Sequence, residues 1–197
     1  MCGRYYIDDG MSQEMLKIIT AIEKKHGEGR IRRGEIFPSN EAPVLVRMQN
    51  EITAEPAVWG FTGFDKKSVI INARAETALE KKMFREGVLS RRCLVPASGF
   101  YEWNRQKEKI YYVRPGGGIL YMAGICGRDM DSRRFVILTT GANRSVKEVH
   151  DRMPVILDEQ DAGLWMEDEE AVRELLVKTP PLLEQRAEYR QITLDFR

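Results

Sequence analysis

Short apolar runs typical of β-strands are crowded into the middle of this chain, and they constrain the fold more than any other feature. The predicted strands are 43–48, 57–61, 68–72, 93–95, 99–103, 110–113, 119–124 and 134–139. They do not alternate with helices in the βαβ rhythm that parallel sheets require. The sequence therefore predicts an α+β fold, a single domain in which several curved, mainly antiparallel sheets are surrounded by short helices.

Helical periodicity is clearest near the start of the chain. Ser12 can cap a helix whose apolar residues recur at helical spacing, and Gly27 can end it after a basic last turn. Further helices are predicted at 76–89, 145–150, 159–166 and 169–177. Two features are predicted outside the helices: a hairpin turn at 116–118, where three glycines separate two strands, and an edge strand at 189–196.

The size and charge of the chain allow one domain with an uneven surface. With 197 residues and 43% apolar side chains, it can bury the core of a single domain over residues 1–197. Residues 153–197 hold 11 acidic and 5 basic side chains, a net charge of −6, whereas residues 1–152 hold 26 basic and 19 acidic ones, a net charge of +7. The cationic part can attract a polyanion, and a solvated mosaic of charges is an equally open interpretation.

The cysteines do not form the spacings of a disulfide framework or a zinc site. Cys2, Cys93 and Cys126 lie far apart, and no Cys-x-x-Cys pair is present. Cys93 and Cys126 lie in apolar runs typical of small buried residues. We therefore expect no metal and no cofactor. Because no signal region or membrane-length apolar run is found, we expect a cytoplasmic or nucleoid-associated monomer that does not bind membranes.

Cys2 has the most distinctive chemistry. A small second residue lets methionine aminopeptidases remove Met1, which would leave Cys2 with a free α-amine beside its thiol. These groups titrate near ~8 and ~8.5, so both have a nucleophilic fraction at neutral pH. Such an aminothiol reacts with an aldehyde, since the amine forms a Schiff base and the thiol then closes a thiazolidine ring. The simpler interpretation is an ordinary small residue near the terminus.

Three further polar residues lie beside apolar strand-like runs. Asn72 ends one run, Glu102 lies between Tyr101 and Trp103 in another, and His150 follows an apolar residue further along. An acid and an imidazole in apolar settings can have shifted pKa values suited to proton transfer. Structural roles are also open: a helix cap for Asn72, an exposed strand position for Glu102 and a helix-dipole partner for His150.

These residues belong to segments that together resemble one family. The segments include Met1-Cys2-Gly3-Arg4, Trp59-Gly60, Ile71-Asn72-Ala73-Arg74-Ala75-Glu76-Thr77, Gly99-Phe100-Tyr101-Glu102-Trp103 and His150-Asp151-Arg152-Met153-Pro154. In this order they resemble the SRAP family, the SOS-response-associated peptidase family of abasic-site processing proteins, most strongly over residues 2–165. The chain departs from the family at Glu35-Ile36-Phe37-Pro38, where Asn-x-Ala-Pro is usual. It also lacks, in 60–68, a second tryptophan that some members carry.

The resemblance implies a DNA-repair enzyme whose mature form begins at Cys2. Such proteins bind single-stranded DNA and close a thiazolidine with the ring-opened aldehyde of an abasic deoxyribose, which gives a stable DNA–protein cross-link. Asn72, Glu102 and His150 match the conserved polar residues of the family's catalytic site. Lyase-like strand cleavage is a possible side reaction, because the Schiff base is also the intermediate of β-elimination.

DNA contacts are implied for a second group of residues. Arg4, Arg74 and Arg152 match arginines that bind the DNA backbone, and Lys82 stands where some members have another basic residue. These cations would neutralise phosphates without reading bases. Trp59 is predicted to stack on a base, as Phe61 and Trp103 also could, although core packing is favoured for Trp103.

Two other functions fit parts of the sequence. In an N-terminal-cysteine peptidase or hydrolase, the thiolate would attack an amide with His150 or the α-amine as base, and removal of Met1 would be its simplest reaction. In a non-catalytic module that binds single-stranded DNA, Cys2 would be structural. The aminothiol favours the cross-linking reaction, while the sequence carries no independent signature of the oxyanion hole that a peptidase needs.

Overall fold

The computed structural model describes residues 2–8, 12–127 and 132–186. The strands in these ranges are β1 (Tyr5–Ile7), β2 (Gly34–Ile36), β3 (Glu41–Met48), β4 (Glu51–Trp59), β5 (Phe61–Thr62), β6 (Val69–Ile70), β7 (Asn72–Arg74), β8 (Arg92–Ala97), β9 (Gly99–Trp103), β10 (Lys109–Val113), β11 (Leu120–Cys126), β12 (Arg134–Gly141), β13 (Arg152–Pro154), β14 (Ile156–Leu157) and β15 (Glu184–Arg186). The helices are α1 (Gln13–His26), α2 (Ala75–Ala78), α3 (Lys82–Ser90), α4 (Glu159–Glu167) and α5 (Val172–Val177). The predicted α+β class is confirmed.

The larger sheet contains a closed ring of strands. Strand β12 pairs with β4 and β11, and the pairs β4–β3, β3–β8 and β8–β11 complete the circuit. We call β12, β4, β3, β8 and β11 the strand ring. Closure leaves these strands with few open edges and surrounds the apolar core. Strands β7 and β13 continue along β12, and β14 pairs with β11.

The smaller sheet holds the start of the chain in place. Its order is β15-β10-β9-β1-β2, and all its pairs are antiparallel. Tyr5 pairs with Ile36 on one side and with Phe100 on the other, so β1 is an interior strand. The segment just before β1, which carries Cys2, is therefore anchored by a sheet rather than left to fray. Strands β5 and β6 form a separate hairpin.

Helix α1 begins and ends where its sequence predicts. Ser12 caps it by accepting a hydrogen bond from the Met15 main-chain nitrogen at 3.3 Å, and Gly27 follows its last turn with a φ of 104°. The buried side of the helix carries Met15, Ile18, Ile19 and Ile22. These residues recur at helical spacing, so one face packs against β3 and β4.

The predicted helix 76–89 is wrong as a single element, because it is two helices joined by a turn. The main-chain nitrogens of Glu80 and Lys81 both donate to the Thr77 carbonyl, which ends α2. Helix α2 packs on β7 and β12, whereas α3 packs on β8 and β11. Since these strands lie on different parts of the ring, one straight helix cannot cover both.

The predicted hairpin at 116–118 is also wrong. The three glycines do adopt positive φ and form a turn, but β10 before them belongs to the smaller sheet and β11 after them to the strand ring. The turn therefore carries the chain from one sheet to the other. Strand β10 is partly buried and β11 is buried throughout, and the apolar side chains of the two strands do not reveal which partner each will find.

Other boundaries moved by smaller amounts. The predicted helix 145–150 is wrong, because residues 144–149 form consecutive turns, and α5 starts at Val172, later than predicted. The predicted strand 68–72 is divided into β6 and β7, and 57–61 spans the end of β4 and the start of β5. The predicted strand 189–196 lies outside the described residues. The remaining predicted strands and 159–166 are found close to their expected positions.

Candidate active site

Cys2 lies at the entrance to β1 with both its main chain and its side chain held. Its side chain is completely buried, and the thiol donates to the Arg4 carbonyl oxygen at 3.6 Å. Burial raises the pKa of the Cys2 thiol well above its ordinary value, and the nearby Glu102 carboxylate raises it further. The thiol is therefore protonated at neutral pH in this environment.

Asn72 reaches Cys2 from the strand ring. Strand β7 runs parallel to β12, with Asn72 paired with Ile137, and this places the amide at the junction of the two sheets. The Asn72 Nδ2 donates to the Cys2 carbonyl oxygen at 2.9 Å. Its Oδ1 is buried without a hydrogen-bond partner among the described residues. Asn72 thus holds the main chain of Cys2 and keeps a buried acceptor beside it.

Glu102 reaches the same place from the neighbouring strand of the smaller sheet. The Tyr101 main-chain nitrogen donates to the Arg4 carbonyl at 3.0 Å, which aligns β9 beside the segment that carries Cys2. Glu102 is only 3% exposed. Desolvation raises the pKa of its carboxyl group, and the nearby His150 offsets only part of this shift. Glu102 therefore keeps its proton to a higher pH than an ordinary glutamate.

His150 completes the cluster from the turn before β13. Its Nδ1 accepts a hydrogen bond from the Arg152 main-chain nitrogen at 2.9 Å. Nδ1 also lies 3.2 Å from the Arg152 carbonyl oxygen, and in the tautomer that accepts from the Arg152 nitrogen the proton is on Nε2, which is then a donor. Cys2, Asn72, Glu102 and His150 come from four separate segments of the chain, and the fold brings them together.

Arg4 lies between two aromatic rings beside this cluster. Its guanidinium carbon is 4.3 Å from the centroid of the Phe37 ring and 5.0 Å from that of Trp103, and its Nη1 donates to Glu35 at 3.0 Å. Glu35 also pairs with Lys109. The segment in which this chain departs from the resembled family, Glu35 to Pro38, is thus the segment that holds Arg4.

A cleft of about 490 Å³ opens beside Asn72 and carries positive charge. We call it the basic cleft; its polar lining consists of Asn72, Arg74, Lys81 and Lys82. Arg74 and Lys82 are both exposed. Lys81 and Phe64 also line the cleft, and neither was predicted from the sequence to contact DNA. Phe64 is 90% exposed. Its position between turn-forming residues is the sequence feature that could have indicated an exposed aromatic ring in the cleft.

Arg152 is held by an acidic partner that the sequence analysis did not anticipate. Its two terminal nitrogens donate to the Glu76 carboxylate at 2.5 and 2.9 Å, and Nη2 also donates to the Thr139 carbonyl. The pair lowers the pKa of Glu76, chiefly through this hydrogen bonding. A DNA phosphate would have to compete with Glu76 for the Arg152 guanidinium.

The predicted stacking of Trp59 on a DNA base is corrected by its position. Trp59 is 0% exposed, its ring lies 5.1 Å from Tyr5 and 6.4 Å from Phe135, and its Nε1 donates to the Ile71 carbonyl at 3.0 Å. It therefore braces the strands that carry Cys2 and Asn72. Trp103, for which core packing was favoured, is the partly exposed one. Phe61 is buried.

Cys93 and Cys126 are buried free thiols, as their apolar surroundings predict. Within the described ranges, no three His, Cys, Asp or Glu side chains are grouped so that they could hold a metal ion. Among the helices described above, none combines the length and apolar character that crossing a bilayer would take.

Comparison with solved structures shows that the fold is a known one. A crystal structure of a protein from Bacteroides thetaiotaomicron superposes on this chain with a TM-score of 0.76 at 22% sequence identity. The match covers 93% of this chain and 90% of that one. The class is thus an α+β domain built on a strand ring, with its candidate active site where the second sheet meets the ring.

The family is shown by sequence. The family model described as SOS response associated peptidase (SRAP) matches residues 1–194, and the chain belongs to this family. It is 27% identical over 179 residues to the abasic site processing protein YedK of Escherichia coli, covering 86% of this chain and 81% of YedK. It is 36% identical over 106 residues to the abasic site processing protein YoaM of Bacillus subtilis, covering 49% of this chain and 47% of YoaM.

Proposed function

We propose that this protein recognises abasic sites in single-stranded DNA and captures them through the α-amine and thiol of Cys2 after Met1 is removed. Family membership and the names of the relatives support abasic-site DNA as the substrate. The observation that carries the proposal is the hydrogen bond from Asn72 to the Cys2 carbonyl. A reaction that uses both the nitrogen and the sulfur of one residue needs its main chain to be held as well as its side chain.

The first step opens the sugar. Abasic deoxyribose is mainly a closed hemiacetal, and its aldehyde appears only when the C1′–O4′ bond breaks. The protonated carboxyl of Glu102 gives its proton to O4′ as this bond breaks, and the resulting carboxylate takes the proton from the C1′ hydroxyl. One proton leaves Glu102 and one returns, so the group is ready for the next step. Its raised pKa keeps the proton available for this exchange to a higher pH than in an ordinary glutamate.

The second step forms two bonds to C1′. The α-amine nitrogen attacks the aldehyde carbon, and the aldehyde oxygen leaves as water, which gives a Schiff base. The Cys2 sulfur then adds to C1′ while the thiol proton passes by way of Glu102 to the imine nitrogen, which closes the five-membered thiazolidine. Asn72 orients the main chain of Cys2 and offers Oδ1 to the α-amine, and His150 can donate from Nε2 to the sugar.

The state of the thiol supports cross-linking over the peptidase alternative. Cys-dependent peptidases attack with a thiolate, and a lowered thiol pKa is the usual way to obtain it. Burial raises the pKa of the Cys2 thiol instead. A protonated thiol does not attack an amide, but it can add to an iminium carbon once the amine has created one.

The DNA strand would lie along the basic cleft. Arg74 and Lys82 are exposed there beside Asn72, so they can neutralise phosphates on either side of the lesion without contacting base edges. Arg4 and Arg152 are each held by a carboxylate, Glu35 and Glu76, and join the interface only if they leave these partners. Since one chain supplies all of these residues, we propose that the monomer is active. Strand cleavage remains a side reaction of the Schiff base.

The deciding experiment mixes purified protein with a single-stranded oligonucleotide that contains one abasic site. We expect a band that survives heat and SDS, formed by protein whose intact mass lacks Met1. Cys2→Ala should form only a reversible linkage that borohydride traps, and Cys126→Ala, which removes a different buried thiol, should cross-link normally. A tetrahydrofuran analogue, which has no aldehyde, is the DNA control. Normal heat-stable cross-linking by Cys2→Ala would contradict the thiazolidine mechanism.

A further inference from the structure

A second cavity, which shares no lining residue with the basic cleft, lies at the start of strand β12. It has a volume of about 440 Å³ and is lined in part by Arg47, Arg91, Arg92 and Arg133; we call it the arginine cavity. Arg133 directly precedes β12, whereas Asn72, which holds the main chain of Cys2, pairs with Ile137 further along this strand. At about 3.3 Å per residue, Arg133 and Ile137 are roughly 13 Å apart along β12.

Three of these arginines make no salt bridge with a carboxylate of the described residues. Arg92 donates to the carbonyls of Trp165, Val88 and Leu89 at 2.5, 3.0 and 2.9 Å. Arg47 makes only long contacts of 3.4 Å, to the Glu167 carbonyl and to Asn50. Arg133 donates to the Met48 sulfur at 3.8 Å and also interacts with the Cys126 thiol, whose pKa it lowers. Neutral acceptors thus position these guanidinium groups without cancelling their charge.

The acidic side chains nearby do not balance this charge. Glu86 pairs with Arg91 at 2.9 Å. The Asp168 carboxylate is occupied in accepting hydrogen bonds from the main-chain nitrogens of Glu170 and Ala171. Among the described lining residues, Glu169 alone is acidic. Four guanidinium groups therefore surround a cavity that three nearby carboxylates, those of Glu169, Glu86 and Asp168, only partly neutralise.

We propose that the arginine cavity binds the phosphate groups of a nucleotide or of a nucleic-acid strand, at a site separate from Cys2. Guanidinium groups match phosphate oxygens in pairs and stay charged at every physiological pH. Val46, Leu89 and Met166 give the same cavity an apolar wall on which a base or sugar can rest. The volume lies within the usual range of small-molecule sites.

The electrostatics of Arg92 agree with this assignment. Burial lowers the pKa of Arg92 and the Glu169 carboxylate opposes this effect, while the positive charge of Arg47 lowers the pKa against a smaller effect of Asp168. An anion placed between Arg47 and Arg92 would relieve this repulsion. The assignment does not rest on the function proposed for Cys2, because no residue is shared between the two sites.

The test is a calorimetric titration of the whole protein with inorganic pyrophosphate, with ATP, and with a 5′-phosphorylated single-stranded oligonucleotide that has no abasic site. The double variant Arg47→Gln/Arg133→Gln should weaken pyrophosphate binding about tenfold or more, since charge-assisted hydrogen bonds are lost. Both side chains make only long contacts, so the fold should survive, and the midpoint of thermal unfolding checks this. The matched control is Lys17→Gln/Arg173→Gln, which removes the same charge from exposed helix positions.

The oligonucleotide distinguishes the two sources of phosphate. If the double variant loses affinity for the oligonucleotide as well as for pyrophosphate and ATP, the ligand is a nucleic-acid strand; if only pyrophosphate and ATP are affected, it is a free nucleotide. No binding of pyrophosphate by the wild-type protein, or equal affinity in the double variant and the wild type, would overturn the proposal. The rate of Cys2 cross-linking to a short abasic oligonucleotide is measured separately and should not change.

Discussion

The side-chain amide of Asn72 donates to the main-chain carbonyl of Cys2 across the junction of two sheets. The distance is 2.9 Å, and the two residues are 70 positions apart in the chain. Asn72 is carried by β7, which pairs with β12 of the strand ring, and Cys2 lies at the start of the smaller sheet. The position of the reacting residue therefore depends on how the two sheets dock, and a change at this contact tests the proposed reaction directly.

Asn72→Ala should slow cross-linking without weakening binding of intact single-stranded DNA. The variant leaves the Cys2 carbonyl without its donor, and loss of a buried hydrogen bond of this kind costs about 1–3 kcal/mol, or roughly 5- to 150-fold in rate. The measurement is the rate of heat-stable adduct formation with excess abasic DNA. Gln106→Ala, an exposed amide in a turn, is the control. Equal rates in Asn72→Ala and wild type would remove Asn72 from the mechanism.

Glu102→Gln should change how stability depends on pH. Burial raises the pKa of Glu102 above its unfolded value of 4.5, so the folded protein binds this proton more tightly. Its contribution to stability is fully present below pH 4.5 and is lost as the pH rises through the raised pKa. Glutamine does not titrate, so the variant should gain stability relative to wild type as the pH rises. Urea unfolding at several pH values measures this, with exposed Glu28→Gln as control; parallel curves would contradict it.

The same Glu102→Gln variant should also react slowly. If Glu102 exchanges the protons of ring opening, the variant forms the same final adduct about 10²-fold more slowly. A loss of this size is typical when a general acid–base group is removed. Single-turnover kinetics with an abasic oligonucleotide give this rate. A wild-type rate would leave the thiazolidine chemistry standing and transfer the acid–base role to His150.

Arg74→Ala should weaken capture of abasic DNA equally in all sequence contexts. Arg74 is exposed in the basic cleft, and loss of one phosphate contact should reduce the slope of log affinity against log salt by about 0.7. Fluorescence anisotropy with several oligonucleotide sequences measures both quantities, and Arg173→Ala on α5 serves as the charge control. A loss confined to one sequence would indicate base readout instead.

Glu76→Gln should strengthen binding of single-stranded DNA. The change removes a negative charge and loosens the double hydrogen bond that holds Arg152, which frees this guanidinium for a phosphate. It is a cleaner test of Arg152 than Arg152→Ala, which would leave Glu76 without its partner. The salt dependence should become steeper by about 0.7 if Arg152 joins the interface. An unchanged slope would show that Arg152 is purely structural.

Trp59→Phe should destabilise the fold far more than Trp103→Phe. The first change removes a fully buried indole and its hydrogen bond to Ile71, which costs about 1–3 kcal/mol. The second changes a partly exposed ring that rests against Arg4, and surface changes usually stay within about 0.5 kcal/mol. Urea unfolding measures both free energies. The opposite order would contradict the placement of the two tryptophans.

Features set by neighbouring residues could be predicted from the sequence alone. Ser12 and Gly27 define α1 because a cap and a left-handed glycine act on the backbone next to them. Strand β9 occupies the predicted residues because its apolar and aromatic side chains favour extended backbone. The chemistry of an N-terminal aminothiol likewise belongs to Cys2 itself, and the family resemblance named Asn72, Glu102 and His150 as its companions.

Features that depend on distant partners were decided by the tertiary structure. The turn at 116–118 joins two sheets, the helix predicted at 76–89 divides in two, and Trp59 is buried while Trp103 is partly exposed. Arg152 forms an ion pair with Glu76, which is far from it in the chain. The arginine cavity is lined by residues from separate segments of the chain. Local sequence patterns predict that a strand has an apolar face or that a cation needs a partner. Only closure of the strand ring and docking of the second sheet determine which surface covers that face and which group lies beside that charge.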